Sequence, residues 1–335
     1  MMKFIVINIA SLLLFCNGFS QHKNEYAVRK TFHIASGGGW DYIAVNNNKI
    51  YVSHATQVNI LDEQTGDSIG IIPNTTGVHG IAFDNKLNKG FTSNGRLNNV
   101  TVFDLSTNNI ITQIPTGENP DAITYEPFSK KIITCNGRSK NLSVIDPLTY
   151  KVIATIALDG TPEETASNNT GKLFVNLEDK NQIAIVNLKT YKVEFRFSLE
   201  PGESPTGLKM DIKTNRLFAG CDKLLIVADA GSGKVVAKLP IGKGCDGVEF
   251  DAKNKLIFTS NGEGNVTVIK ENNANDFKII ETVPSKPGAR TITLDEKNHI
   301  LFLPAAEYEP ADPKDPKARR KPIPGTFQIL LINKK

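Results

Sequence analysis

Cysteine is scarce in this chain of 335 residues, with four in all, and tryptophan scarcer still, with Trp40 alone. One cysteine, Cys16, sits in an N-terminal apolar stretch, so Cys135, Cys221 and Cys245 are what a mature protein would keep. An odd trio without any Cx2C spacing is neither a disulfide scaffold nor a thiolate zinc site. Charge of one sign is lacking too: the formal net charge is +4, spread over turns. That argues against nucleic acid as a partner, which calls for a basic stripe. After residue 20 no apolar run is long enough to cross a bilayer, so no integral membrane segment is expected. Sustained 3.6-residue apolar periodicity is also missing, which leaves almost no helix. There is no Gly-rich phosphate loop leading into a helix and no serine nucleophile elbow.

The first twenty residues read as a leader. Lys3 supplies a positive n-region, Phe4 to Phe15 an apolar h-region, and Gly18-Phe19-Ser20 a small-x-small cleavage site before Gln21. Phe15 stands where a lipoprotein site would need a small residue before Cys16. The expectation is a signal peptide over 1–20, cleaved after Ser20, a single domain over 21–335, and a periplasmic or secreted location.

What is present is a repeat. Short apolar strands with nearly the same wording begin at Ile50, Gly90, Ile132, Leu173, Leu217, Ile257 and Leu301. Three read Gly-Phe-Thr-Ser-Asn-Gly from Gly90, Ile-Ile-Thr-Cys-Asn-Gly from Ile132 and Ile-Phe-Thr-Ser-Asn-Gly from Ile257. A strand-rich unit recurring at intervals of 40 to 44 residues predicts an all-β fold, a seven-bladed β-propeller of four-stranded antiparallel blades. Innermost strands show period-two patterns such as Gly80-Ile81-Ala82-Phe83 and end in Asn46, Asp84, Glu126, Asn168, Asp211, Asp251 or Asp295. Large apolar positions (Ile43, Ile81, Ile123, Leu208, Val248, Ile292) alternate with small ones (Ala44, Gly80, Ala82, Ala166), as a sheet crowding towards an axis requires. The last unit offers too few strands. Tyr26 to Ile34 has no unit of its own and is expected to close the last blade from the N-terminal side, removing the open sheet edge.

The phrases Val100 to Asp104 and Leu142 to Asp146, the latter followed by Lys151 to Ile156, resemble the YVTN-type repeat of the YncE-like bacterial β-propeller proteins. The resemblance extends to Trp40-Asp41-Tyr42, Val78-His79-Gly80, Asn119-Pro120-Asp121-Ala122, Gly244-Cys245-Asp246-Gly247 and Gly288-Ala289-Arg290-Thr291. It implies an exported propeller of a group for which ligand or nucleic-acid binding has been suggested. A quinone-cofactor propeller would carry recurrent tryptophan docking motifs, and this chain has none; no cofactor is expected beyond a divalent metal.

In a propeller the loops entering strand A and those leaving strand B share one face and meet at the funnel mouth. That places Asp41, His79, Asp121, Glu163, Asp246 and Arg290 beside His54, Asn94, Asn136 and Asn261, with Arg96, Arg138 and Glu178 just beyond. Loops on this face differ between blades whereas the opposite turns are monotonous, and variation over a uniform scaffold is where binding resides. His54 and His79, flanked by Asp41 and Asp121, offer a mixed nitrogen–oxygen metal site, or else two neutral imidazoles bonded to loop carbonyls. Cys221 and Cys245 suit either a disulfide or two buried thiols. Glu163-Glu164 face Glu178-Asp179, and Thr165 and Ser167 interrupt the apolar pattern of their strand, as a water- or ligand-lined region would. Residues 307–325, with five prolines and Arg319-Arg320-Lys321, form a long insert over the funnel, either a docking loop or Pro-rich disorder. The sequence thus reads as a monomeric binding protein for a small molecule or a protein partner; the competing reading is a metal-dependent funnel enzyme, lactonase- or lyase-like.

Overall fold

A computed structural model describes residues 25–35, 37–310, 315 and 320–335. The leader expected over 1–20, Cys16 within it, and parts of the 307–325 insert, including Arg319, lie outside the described residues.

Seven separate four-stranded antiparallel sheets account for the fold. Blade 1 runs through strands Trp40–Asn46, Lys49–His54, Gln57–Asp62 and Ser68–Ile72, named A to D from the axis outwards. The next five blades repeat this order, beginning at Val78, Pro120, Pro162, Leu208 and Cys245. Blade 7 takes Thr293–Asp295, Ile300–Ala305 and Gln328–Lys334 from the C-terminal part of the chain and Tyr26–His33 from the other end. The closing pair is antiparallel, from Tyr26 opposite Lys334 to His33 opposite Gln328. Helix is confined, among the described residues, to one 3-10 turn at Glu178–Lys180. Closure is stabilised by apolar burial: Tyr26 joins Phe258, Val266, Leu301 and Leu330, while Phe32 and Ile34 join Ile43, Val52 and Phe302 across the seam to blade 1.

The acidic or amide residue ending each strand A has a local purpose. Asp251 accepts backbone N–H bonds from Lys253 (3.1 Å) and Asn254 (3.0 Å), Glu126 from Phe128 and Ser129, and Asp295 from Lys297. Strand C ends use the same device, as where Asp104 accepts from Ser106 and Thr107. These are side-chain-to-backbone turns. The repeated acids therefore shape the face opposite the mouth and take no part in its chemistry.

Strand A residues of all seven blades line an axial cavity of 170 Å³: Tyr42 to Ala44, Gly80 and Ile81, Ala122 to Thr124, Glu164 and Thr165, Lys209, Glu249, and Ile292 and Thr293. Small residues are needed where strands A approach one another. A Cβ on Gly207 would lie 2.6 Å from the Val248 nitrogen in the next blade, too near for any side chain.

Candidate functional site: the funnel mouth

One irregularity places the mouth residues. Near the start of strand A in blades 1 to 4 and 6 the pairing with strand B slips by one residue. The slips fall between Trp40 and Ile43, Val78 and Ile81, Pro120 and Ile123, Pro162 and Thr165, and Cys245 and Gly247. A bulge re-aims the side chains it carries and leaves backbone groups off the ladder. The residues on these bulges are Asp41, His79, Asp121, Glu163 and Asp246.

Hydroxyls from neighbouring strands satisfy the freed backbone groups and tie one blade to the next. Ser93 donates to the Asp121 carbonyl and Ser260 to the Arg290 carbonyl. Thr291 donates to the Asp41 carbonyl at 2.6 Å and Thr206 to that of Cys245 at 3.0 Å. The recurrent Thr-Ser-Asn-Gly phrase is thereby explained. Its Ser ties down the entry to the next blade's strand A, its Asn braces strand C, and its Gly leaves room at the mouth. A Cβ on Gly95 would meet His79 Nε2 at 2.6 Å.

The structure joins six of the expected residues. His79 Nδ1 lies 2.6 Å from Asp41 Oδ2 and 3.8 Å from Asp121 Oδ1. Arg290 bridges Asp41 (3.2 Å) and Asp246 (3.0 Å). Glu163 completes the group through its electrostatic interaction with Asp121, Asp246, Asp41 and Glu178. Asp41, Asp121, Asp246 and His79 keep only 17 to 26% of their side-chain surface exposed, so they are partly dehydrated yet reachable. Dehydration pushes the Asp121 carboxyl up to about 7, the nearby charges of Asp41 and Asp246 adding to it against His79 and Arg290. The same cause lifts Glu163 to about 10, with Asp121 and Glu178 adding repulsion, and Asp246 to about 6 despite Arg290. For His79 burial acts downwards, but the Asp41 hydrogen bond and the charges of Asp121 and Asp41 outweigh it and hold the imidazole above its ordinary value.

Below the mouth, Glu164 turns into the channel. It accepts the Leu208 N–H (2.9 Å) and lies 3.9 Å from Lys209 Nζ, which is 3.6 Å from Glu249. Burial raises Glu249 to about 7 despite that lysine. Lys209 and Glu249 alternate along strands that otherwise read as core, so only the ring closure reveals them as channel groups. Thr165 lines this cavity too, and Ser167 donates to Glu126 (2.6 Å), which accounts for the polar interruption in blade 4.

Other expected residues go elsewhere. Asn94, Asn136 and Asn261 are fully buried inside their blades. Asn94 donates to Asn99 and Thr101, Asn136 to Asn141 and Ser143, and Asn261 to Asn265 and Thr267. They brace strand B against strand C and turn away from the funnel. His54 is buried as well, its Nε2 3.1 Å from the Gly38 carbonyl and its ring stacked on Phe327 at 4.3 Å. It does not join His79, and burial lowers its proton affinity. Cys221 and Cys245 are free buried thiols, as is Cys135, so of the two alternatives the thiols hold and no disulfide joins them. Arg138 is exposed, and Asp179 pairs with Lys140 (2.7 Å) while accepting the Thr161 N–H.

Among the described residues, Asp41, His79 and Asp121 form the one group of three whose potential ligand atoms lie within 4.8 Å of one another. One imidazole nitrogen and two carboxylate oxygens suit a borderline divalent ion. A second hollow of 350 Å³ adjoins the mouth, lined by Gly39, Trp40, Arg96, Arg290, Tyr308, Arg320, Lys321 and Pro322. Sequence reasoning missed this groove. Its only signal was the basic run in an insert that the topology carries over the funnel. A larger hollow, of 840 Å³, is lined by Asp62, Glu63, Asn298, Lys334 and other residues at the seam of blades 7 and 1, towards the opposite turns, away from these groups.

Fold and site together define a β-propeller with a charged funnel mouth. No protein-family model matches the chain, and no curated protein does. Among solved structures it is similar to a chain of Kuenenia stuttgartiensis hydrazine synthase, with a TM-score of 0.71 and 14% identity over 88% of this chain and 98% of that one. At that identity the likeness concerns the fold.

Proposed function

We propose that this protein is an exported propeller of the YncE-like kind that binds a small polar molecule at its funnel mouth, without catalysing its conversion. The observation that carries the reading is the convergence of Asp41, His79, Asp121, Glu163, Asp246 and Arg290 on one partly dehydrated rim. Such groups contribute little to folding, because lifting a carboxylate's proton affinity disfavours the charged form at neutral pH. A fold that places several of them on bulges gains recognition in exchange. The leader motif supports export, and a mature N-terminus at Gln21, read by mass spectrometry, is the expected result. The test of binding is a thermal-shift screen against divalent metals, lactones, sugars and cell-envelope fragments, run on wild type and on His79→Ala and Asp121→Asn. A hit should raise the wild-type Tm and lose that effect in both variants. Hits indifferent to both would sink the proposal.

The second reading, a metal-dependent enzyme of the lactonase or lyase type, is favoured by the 4.8 Å grouping of Asp41, His79 and Asp121. Bound metal there would act as a Lewis acid on a substrate oxygen, with Glu163 and Asp246, whose charges interact with that of Asp121, as the neighbouring carboxyls. Metal analysis after dialysis with zinc or manganese decides it: less than about a tenth of an equivalent retained in wild type removes this reading.

A further inference from the structure

We infer that the 350 Å³ groove beside the mouth is an anion subsite, which takes a phosphate- or carboxylate-bearing small molecule with a planar ring. The inference rests on the funnel-face binding reading and specifies the ligand's chemistry.

Four cationic side chains, Arg96, Arg290, Arg320 and Lys321, line this one groove, and no carboxylate does. Of these, Arg290 is already shared between Asp41 and Asp246. Arg96, Arg320 and Lys321 make no ion pair among the described residues. Like charges brought together without counter-charge repel, so their gathering around one hollow is explained by an anion they jointly hold. The hollow's size matches a small-molecule pocket.

The ring is inferred from the aromatic wall. Trp40 and Tyr308, both partly buried, stand with ring centroids 6.1 Å apart, and the Arg320 guanidinium lies over Tyr308 at 5.2 Å. Trp40 is held from behind by Phe327 at 5.0 Å. Aromatic faces beside guanidinium groups recognise planar anions by stacking and charge together. Contributions come from separate parts of the chain. Trp40 enters blade 1, Arg96 follows strand B of blade 2, Arg290 enters blade 7, and Tyr308, Arg320 and Lys321 belong to the insert. The insert's base is tied by the Tyr308–Pro322 bridge and by Glu309 N–H to the Lys321 carbonyl (2.9 Å) and Ile323 N–H to that of Glu307 (2.8 Å). Both flanks of this subsite are therefore anchored.

Trp40 is the chain's single tryptophan and lines the groove, so its fluorescence reports on this side of the mouth. The experiment titrates the mature protein with phenyl phosphate, benzoate, inorganic phosphate, phenol and benzylammonium, following Trp40 emission. Phenyl phosphate and benzoate should shift the emission saturably, inorganic phosphate more weakly, and phenol and benzylammonium not at all. Arg96→Ala and Lys321→Ala, at exposed positions, should each raise the Kd for phenyl phosphate about tenfold or more, the scale of a lost charge-assisted hydrogen bond. Tyr308→Ala should weaken phenyl phosphate while sparing inorganic phosphate, and Lys151→Ala, exposed on an outer strand of blade 3, should leave both unchanged. An equal response to benzylammonium, or wild-type affinity in the double variant R96A/K321A with an unchanged melting curve, overturns the inference. If anions fail at Trp40 while a hit from the thermal-shift screen still depends on His79, the groove falls and the mouth stands. If anions bind through Arg96 and Lys321 while His79 is irrelevant to every ligand, the mouth falls and the groove stands. Silence in both overturns both.

Discussion

At the scale of single residues, the mouth stores unfavourable electrostatics that pH can release. Asp121, Glu163 and Asp246 bind protons more tightly in the fold than in the unfolded chain, and so does His79. For every one of these groups the folded state holds the proton over a pH range in which the unfolded chain has lost it, so stability falls as pH rises through that range. Turn acceptors such as Asp62, Asp104 and Asp146 act oppositely, since hydrogen bonds hold their carboxyls below the usual range. Their contribution is complete by about pH 5, just above the ordinary aspartate value. The expected profile is a urea midpoint that rises to about pH 5 and declines towards pH 8. In Asp121→Asn and Glu163→Gln the decline should be visibly shallower; a wild-type midpoint still rising from pH 5 to 8 would contradict the assignment. Which residues carry this effect was half legible. Asp41, His79, Asp121, Glu163, Asp246 and Arg290 were named from loop position, and they do meet. His54, Asn94, Asn136 and Asn261 were named on the same grounds and do not. Position along a loop does not say which way a side chain turns. A bulge turned Asp41, His79, Asp121, Glu163 and Asp246 to the axis, Arg290 reaches them through its ion pairs, and regular pairing turned the second set into the blade.

At the scale of the element, the unit is a blade whose strand B carries a three-part instruction. Thr92, Asn94 and Thr101 form a hydrogen-bonded chain, Thr92 donating to Asn94 (2.9 Å) and Asn94 to Thr101 (2.8 Å). Blades 3 and 6 repeat it with Thr134, Asn136 and Ser143, and with Thr259, Asn261 and Thr267. Asn136→Ala leaves the buried Thr134 hydroxyl without its acceptor and takes one of two donors from Ser143, and should cost about 1–3 kcal/mol, read from urea denaturation, with ligand affinity at the mouth unchanged. A change in affinity larger than the change in stability would return Asn136 to the binding face. The repeated phrase was visible as text, but its division of labour was not, because the partner of each side chain lies on another strand or another blade. Close strand approach makes a second element-scale prediction. Gly207→Ala drives a methyl against the blade 6 backbone and should lower stability by about 1–3 kcal/mol, whereas Gly37→Ala, with open space around its Cβ, should stay within about 0.5 kcal/mol.

At the scale of the whole molecule, the closed ring is what makes a funnel. Strand Tyr26–His33 zips onto Gln328–Lys334, and the Lys335 N–H reaches the Glu25 carbonyl at 2.7 Å. Because the two ends of the described chain meet, a permutant that joins Lys335 to Glu25 through a short linker and opens between the exposed Ala252 and Lys253, in the turn between strands A and B of blade 6, should keep its melting temperature within a few degrees. Deleting residues up to Ile34 instead exposes the edge of Gln328–Lys334 and uncovers the cores around Phe258 and Phe302. The product should elute as aggregate in size-exclusion chromatography, as an open apolar sheet edge dictates; a monomeric, cooperatively melting truncation would contradict the closure. Sequence alone determined the repeat, the blade count and the exchange of strands at the seam, because strand periodicity and turn chemistry are local properties written in consecutive residues. Only the tertiary structure decided which polar side chains meet. The mouth joins residues from six blades and the groove joins an insert to three of them. Those distances depend on one-residue bulges and on the inward crowding of seven strands, and neither leaves a mark in the order of the residues.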